Sequence, residues 1–139
     1  MIYAVSARDI AASGLKAQRT RMTVIANNIA NWNTTRTPEG GAFRRQMTIM
    51  RGGQLKHGAN PEKVGVRVKR VESDPAPLRQ VFQPNHPDAN EEGYVSYPNI
   101  DLAVENVNMI AAQRAYEANI AVLVSSSRIK QQAMRIIEP

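Results

Sequence analysis

The residues of this chain that could do chemistry are few and scattered. Its two histidines, His57 and His86, both fall in loop-like sequence. His86 and Asp88 stand two residues apart, but a metal centre needs further ligands, and the surrounding sequence suggests none. Gly52-Gly53 followed by Gly58 lacks the Lys-Ser/Thr pair that a phosphate-cradling loop sets against phosphate and magnesium. No Ser, His and acid set has motif support. Asn33-Thr34-Thr35 fits a glycosylation acceptor, a tripeptide common by chance. The chain has no cysteine, which excludes disulfides, thiolate zinc sites and thiol catalysis. The expectation is a non-enzymatic protein with no catalytic, cofactor-binding or metal-binding residues.

One cluster of polar side chains does need an explanation. Ala26-Asn27-Asn28-Ile29-Ala30-Asn31 places three asparagines at the end of an apolar-striped segment, although Asn is a mediocre helix former. Asn31 is accounted for as a helix terminator, because Asn tolerates the left-handed conformation. Asn27 and Asn28 are not. Buried amides can instead bond to a neighbouring backbone and fix register, as a single polar seam residue does in coiled coils.

The elements that carry this cluster are legible from punctuation. Residues 33–99 hold seven of the eight prolines and seven of the eight glycines. The two ends are nearly free of both. Near the N-terminus, Ser6 and Asp9 fit a capping box. Ala11, Leu15, Met22, Ile25 and Ile29 then follow in alternating steps of four and three, with Gln18 in the gap. This predicts a helix over 6–31. Pro98 blocks helix upstream of the C-terminal segment, where Asn99 and Asp101 are candidate N-caps and Glu105 suits the first turn. Met109, Tyr116, Ile120, Leu123, Met134 and Ile137 keep the same rhythm, with Gln113, Ser127 and Lys130 between them. Ala111, Ala115, Ala118, Val122, Ile129 and Ile136 draw a second apolar line along this helix. A helix with two apolar sides needs more neighbours than one short chain supplies, unless the middle segment covers the second.

Between the helices the pattern predicts short strands. Phe43–Met50 reads as one, broken by Gly52-Gly53. Val64–Val71 shows the clearest alternation, with Leu78–Phe82 as its partner, and 93–97 is an extended approach to the last helix. The fold class is therefore mainly α, with paired long terminal helices flanking a small β-rich insert. The units are 1–32 and 100–139, forming one discontinuous helical core, and 33–99.

Net charge is +6, from 18 basic and 12 acidic residues. The excess is diffuse, and its densest cluster, Arg67, Lys69 and Arg70, alternates with valines as the wet face of a strand would. A small basic nucleic-acid-binding protein is the alternative from another class; it requires salt-sensitive DNA binding. No apolar run approaches the roughly 18 residues of a membrane span. No cleavable leader is visible, since Arg8 and Asp9 interrupt the apolar start.

Two segments, taken together, resemble a known family. Ala26–Asn31 resembles the N-terminal signature of bacterial flagellar rod, hook and related axial proteins. Val107-Asn108-Met109-Ile110-Ala111-Ala112-Gln113-Arg114-Ala115-Tyr116-Glu117-Ala118-Asn119 resembles their C-terminal signature. Thr34–Gly41 followed by Phe43-Arg44-Arg45, with the short middle segment, is similar to a proximal-rod member; a second proximal-rod type is the alternative within the family.

The resemblance implies export without a cleaved signal through the flagellar type III apparatus. It also implies polymerisation, with other rod proteins and copies of itself, into a helical tube that crosses the periplasm, transmits torque and encloses the export channel. Direct membrane insertion is not implied. It makes Asn27, Asn28 and Asn31 inter-helix or inter-subunit contacts, with Gln113, Arg114, Tyr116 and Asn119 as their C-terminal counterparts. Leu15, Met22, Ile25, Ile29, Met109, Ile120 and Leu123 supply the apolar contacts. Trp32 and Ser125-Ser126-Ser127 depart from the family pattern.

Overall fold

The computed structural model describes residues 6–53 and 64–137, with the Ile137 side chain left aside. His57 and Gly58 lie outside the described residues. Helix α1 spans Ala7–Ala30 and α2 spans Leu102–Ile137. Between them come β1 (Gln46–Gly53), β2 (Gly65–Ser73), β3 (Arg79–Phe82) and β4 (Tyr94–Tyr97). Two long helices thus flank a small β module, as the punctuation predicts.

The ends of the helices are set by their caps. Ser6 Oγ accepts from the Asp9 N–H at 3.2 Å while the Ser6 N–H donates to Asp9 Oδ2 at 3.3 Å, closing the capping box. Asn31 ends α1 with φ −104° and ψ 13°, so it is not left-handed as expected; its N–H still reaches back to the Asn27 and Asn28 carbonyls. Asp101 caps α2 by accepting from the Ala103 N–H at 2.8 Å. Asn99, the other candidate cap, accepts from the Arg45 N–H instead.

The strands pair as two separate antiparallel hairpins, β1 with β2 and β3 with β4. This corrects two expectations. The Gly52-Gly53 pair does not end β1 but pairs with Val66 and Gly65, and the partner of β2 is β1 rather than β3. The register slips between Ile49 and Met50, opposite Arg70 and Val68. A bulge there absorbs the extra residue that breaks the valine alternation between Val68 and Val71. Arg67, Lys69 and Arg70 are exposed. In the second hairpin Val95 and Tyr97 turn inward, while Phe82 and Tyr94 stack edge-on outside at 5.3 Å.

Both strands of the first hairpin pack on α1. Val66 donates its N–H to Ser13 Oγ at 3.0 Å, and Gly65, with φ +96°, lies so close to Ser13 that a Cβ would collide with the hydroxyl. The other side of α1 packs against α2. The helices run antiparallel, with Asn28 beside Glu105, Gly14 beneath Asn119 and Arg8 beside Ser127. Fourteen residues separate Gly14 from Asn28, and fourteen separate Glu105 from Asn119, two heptads on each helix.

The seam differs from the predicted stripe by one residue at alternate positions. On α2 the buried line runs through Glu105, Ala112 and Asn119, so Gln113 and Ile120 lie outside it. On α1 it runs through Gly14 and Asn28 rather than Leu15 and Ile29. Small and amide side chains sit at the closest approach because they let the backbones come near; a Cβ on Gly14 would stand 2.6 Å from Asn119 Oδ1.

Candidate functional site

The polar cluster at the end of α1 is the centre of the molecule. Asn28 is fully buried and bonds to the first residue of β1 at two points. Its Oδ1 accepts from the Gln46 N–H at 2.8 Å, and its Nδ2 donates to the Gln46 carbonyl at 2.9 Å. A primary amide, having a donor and an acceptor side by side, pairs with a strand as another strand would. The same Nδ2 donates to Glu105 Oε2 at 3.1 Å. Asn28 thus joins the end of α1, the start of β1 and the first turn of α2.

Glu105, only 1% exposed, is a buried carboxylate and must be paired. Arg45 does this, with Nε and a terminal guanidinium nitrogen each 2.8 Å from Glu105 Oε1. Its remaining terminal nitrogen reaches Asp74 Oδ2 at 3.3 Å, just past the end of β2. Burial works to lower the Arg45 pKa, but the hydrogen bond and charge of Glu105, with help from Asp74, hold it above its ordinary value. The guanidinium stays charged and the network is a fixed tie, with its groups spent on one another.

The other two asparagines sit at the edge of this cluster. Asn27 donates to Gln46 Oε1 at 3.1 Å. Asn31 Nδ2 donates to the Asn27 carbonyl at 2.9 Å, and Asn31 Oδ1 accepts from the Thr34 hydroxyl at 3.2 Å, fixing the corner where helix becomes loop. Asn119 donates to the Ala115 carbonyl at 2.7 Å while lying over Gly14.

Of the remaining candidate contacts, Ile25 is buried, and Leu15, Met22, Ile29, Met109, Tyr116 and Leu123 are half-buried. Asn27, Gln113, Arg114 and Ile120 are exposed. The Arg45, Gln46, Asp74 and Glu105 side chains carry no site signal in the sequence: Glu105 suits a first helical turn and Arg45 stands in the Phe43-Arg44-Arg45 string, but nothing in the spacing joins them.

His86 and Asp88 join loops. His86 Nδ1 accepts from the Asp88 N–H at 3.1 Å, and the Asp88 carboxylate takes the Thr35 hydroxyl at 2.8 Å and pairs with Arg36.

Outside the seam, α2 is uncovered both along its second apolar line, at Val122 and Ile129, and beyond that line, at Val107 and Ile110. Val107 is 66% exposed, Ile110 53%, Val122 46% and Ile129 64%. The β module, which could have covered this side, packs on α1 instead.

Two antiparallel helices tied by a buried polar network, one of them with a long apolar side left open, define a structural subunit of the kind that packs laterally into larger assemblies. Comparison with known proteins gives the family. The model for "Flagella basal body rod protein" matches residues 9–36, and that for "Flagellar basal body rod FlgEFG protein C-terminal" matches residues 91–136. The flagellar basal-body rod protein FlgC of Borreliella burgdorferi is 42% identical over 96% of this chain and 97% of its own. That of Yersinia enterocolitica is 39% identical over 92% and 93%, and that of Bacillus subtilis 32% identical over 92% and 94%. The chain belongs to the FlgC family of flagellar basal-body rod proteins. It is accordingly a structural protein of the flagellar basal body.

Proposed function

We propose that this chain builds the proximal part of the rod, packed with other rod proteins and copies of itself into a helical tube that carries torque and encloses the export channel. The type III export apparatus delivers it. The uncovered outer surface of α2 carries this reading. In one chain it leaves Val107, Ile110, Val122 and Ile129 in water; between laterally packed subunits it becomes continuous burial, which stiffens a shaft along its axis.

On this reading 1–32 and 100–139 act as one discontinuous assembly unit that carries the 33–99 module. The seam residues Ile25, Asn28, Met109, Tyr116, Asn119 and Leu123 hold the helix pair together, with Leu15, Met22, Ile29 and Asn31 beside them. The exposed Asn27, Gln113, Arg114 and Ile120 meet neighbouring subunits. The role is non-catalytic, since the buried carboxylate Glu105 and the partly buried Asp74 are both held by Arg45. No nucleic acid enters the reading, because the positive charge is spread along the chain. No helix among the described residues is long and apolar enough to cross a membrane.

The test replaces Val107 and Ile110 together by Asp in the cell. Both are exposed, so the helix pair survives. The expected result is a soluble, folded subunit missing from purified basal bodies, and cells that do not swim. Normal recovery of the variant in basal bodies would overturn the reading.

A further inference from the structure

The second apolar line of α2 has the form of a helix–helix seam. It keeps steps of four and three from Ala111 to Ile136, with Ser125 and Gln132 filling its two gaps. A second helix fits such a line, because side chains of the partner enter holes at those intervals. The line is exposed at every position except the half-buried Ala115. Arginines flank it on one side. Arg114, Arg128 and Arg135 each stand one residue before a position of the line, at Ala115, Ile129 and Ile136, and so share one edge. They are 14 and 7 residues apart, which is about 21 Å and about 10 Å along the axis. All three are exposed, and among the described residues no ion pair engages them.

A second copy of this chain does not supply the opposite charge. Helices α1 and α2 together carry eight basic and three acidic residues. Of the acids, Glu105 is buried against Arg45 and Asp9 is bonded to Ser6. Glu117 alone is left on the exposed helical surface. The open side of α1 carries Arg8, Lys16 and Arg19, so a neighbour's α1 laid along the arginine edge adds like charge.

We infer that the outer line of α2 seats an amphipathic helix of a different rod subunit, with a row of Asp or Glu along the flank that faces Arg114, Arg128 and Arg135. Its apolar side chains are bulky opposite Ala111, Ala115 and Ala118, where small residues leave room, and smaller opposite Ile129 and Ile136. Like charge keeps two copies of this chain apart across this face, while opposite charge selects and orients the other subunit. The inference rests on the rod reading and adds the chemistry of the neighbour that covers α2.

The test places the photo-reactive residue benzoylphenylalanine at Val122, and in a second version at Ala118, so that the result does not hang on one position. Basal bodies purified from such cells are irradiated and the joined peptides identified by mass spectrometry. The expected peptide comes from a rod protein other than this chain and carries Asp or Glu at spacings of seven or fourteen residues. Arg114→Glu with Arg128→Glu reduces the yield by about tenfold, the size expected when a few exposed ion pairs are reversed. Arg114→Lys with Arg128→Lys keeps the charge and the yield. Both arginines are exposed, so the helix pair survives either change. Joining to α1 or α2 of another copy, to lipid, to a peptide without such acids or to nothing overturns the inference, and so does a yield indifferent to charge reversal. Absence of the unaltered chain from basal bodies would instead overturn the rod reading itself, so the two failures are distinct.

Discussion

Asn28 of the first helix donates to Glu105 of the last across 77 residues of sequence, at 3.1 Å and out of contact with water. The two ends of the chain are therefore joined by a polar contact in an otherwise thin core. Arg45 supplies the charge that makes the burial tolerable. The tie sits where α1, the first turn of α2 and the start of β1 come together, and it helps to set the angle between helix pair and β module.

Glu105→Ala leaves Arg45 half-buried with only Asp74, and leaves one amide donor of Asn28 short of a partner. Breaking a buried charge pair from one side costs about 3–5 kcal/mol. Urea unfolding of the purified subunit measures it. A loss below about 1 kcal/mol, the range of exposed pairs, contradicts a tie of this kind.

Asn28→Asp removes the donor to Gln46 and sets a second carboxylate against Glu105. The expected loss is about 3 kcal/mol or more, seen in the same unfolding experiment. Because Asn28 is buried, an acidic substitution there makes the fold itself the first casualty, ahead of assembly. A variant as stable as the parent would return Asn28 to the subunit surface.

Gly14→Ala tests the closest approach of the helices. Ala is about 1 kcal/mol better than Gly inside a helix. The new Cβ, 2.6 Å from Asn119 Oδ1, must push that side chain off its bond to Ala115 or part the helices. The net result is a loss of about 1–2 kcal/mol. In an Asn119→Ala background the same substitution becomes neutral or stabilising. A double-mutant cycle reads the coupling, and additive effects would exclude the contact.

The start of α1 is sensitive to acid. The Ser6 side-chain hydrogen bond, then the Ser6 backbone N–H, hold the Asp9 carboxyl below its ordinary value. A carboxylate lowered by folding stabilises the folded form above its unfolded value and loses that contribution as the pH falls through its folded one. The first turn should fray below about pH 4, and Ser6→Ala, which removes the side-chain bond and keeps the backbone one, should weaken the pH dependence while costing about 1 kcal/mol. Carbon chemical shifts of residues 7–11 followed by NMR against pH report it; shifts that do not move between pH 6 and pH 3 contradict it.

Much of this arrangement could be read from residue order, and the remainder shows where such reading stops. Ser6 and Asp9 announced the start of α1, and the concentration of Pro and Gly in 33–99 marked out the β module. The helix stripes were placed one residue off at every second position. An apolar count favours Leu15 and Ile120, whereas close packing of two backbones selects Gly14 and Asn119. The strand partners were mismatched because alternation shows which residues share a face and carries no information on which strand lies alongside. Arg45 and Glu105 look like ordinary charges in a linear string, and only the fold, by bringing positions 60 residues apart together, makes them one site. The unusual three asparagines did mark the right place, since amides in an apolar stripe need partners somewhere.

The central claim is that the outer apolar side of α2 is covered only by neighbouring subunits. The chain has no cysteine, so Ile110→Cys introduces a single thiol on that side. Maleimide labelling of this thiol, compared between the isolated subunit and purified basal bodies, is the most direct measurement. The account predicts rapid labelling of the isolated subunit and protection in the assembled rod. Equal labelling in both would show that side of α2 facing water in the rod, and would contradict the account.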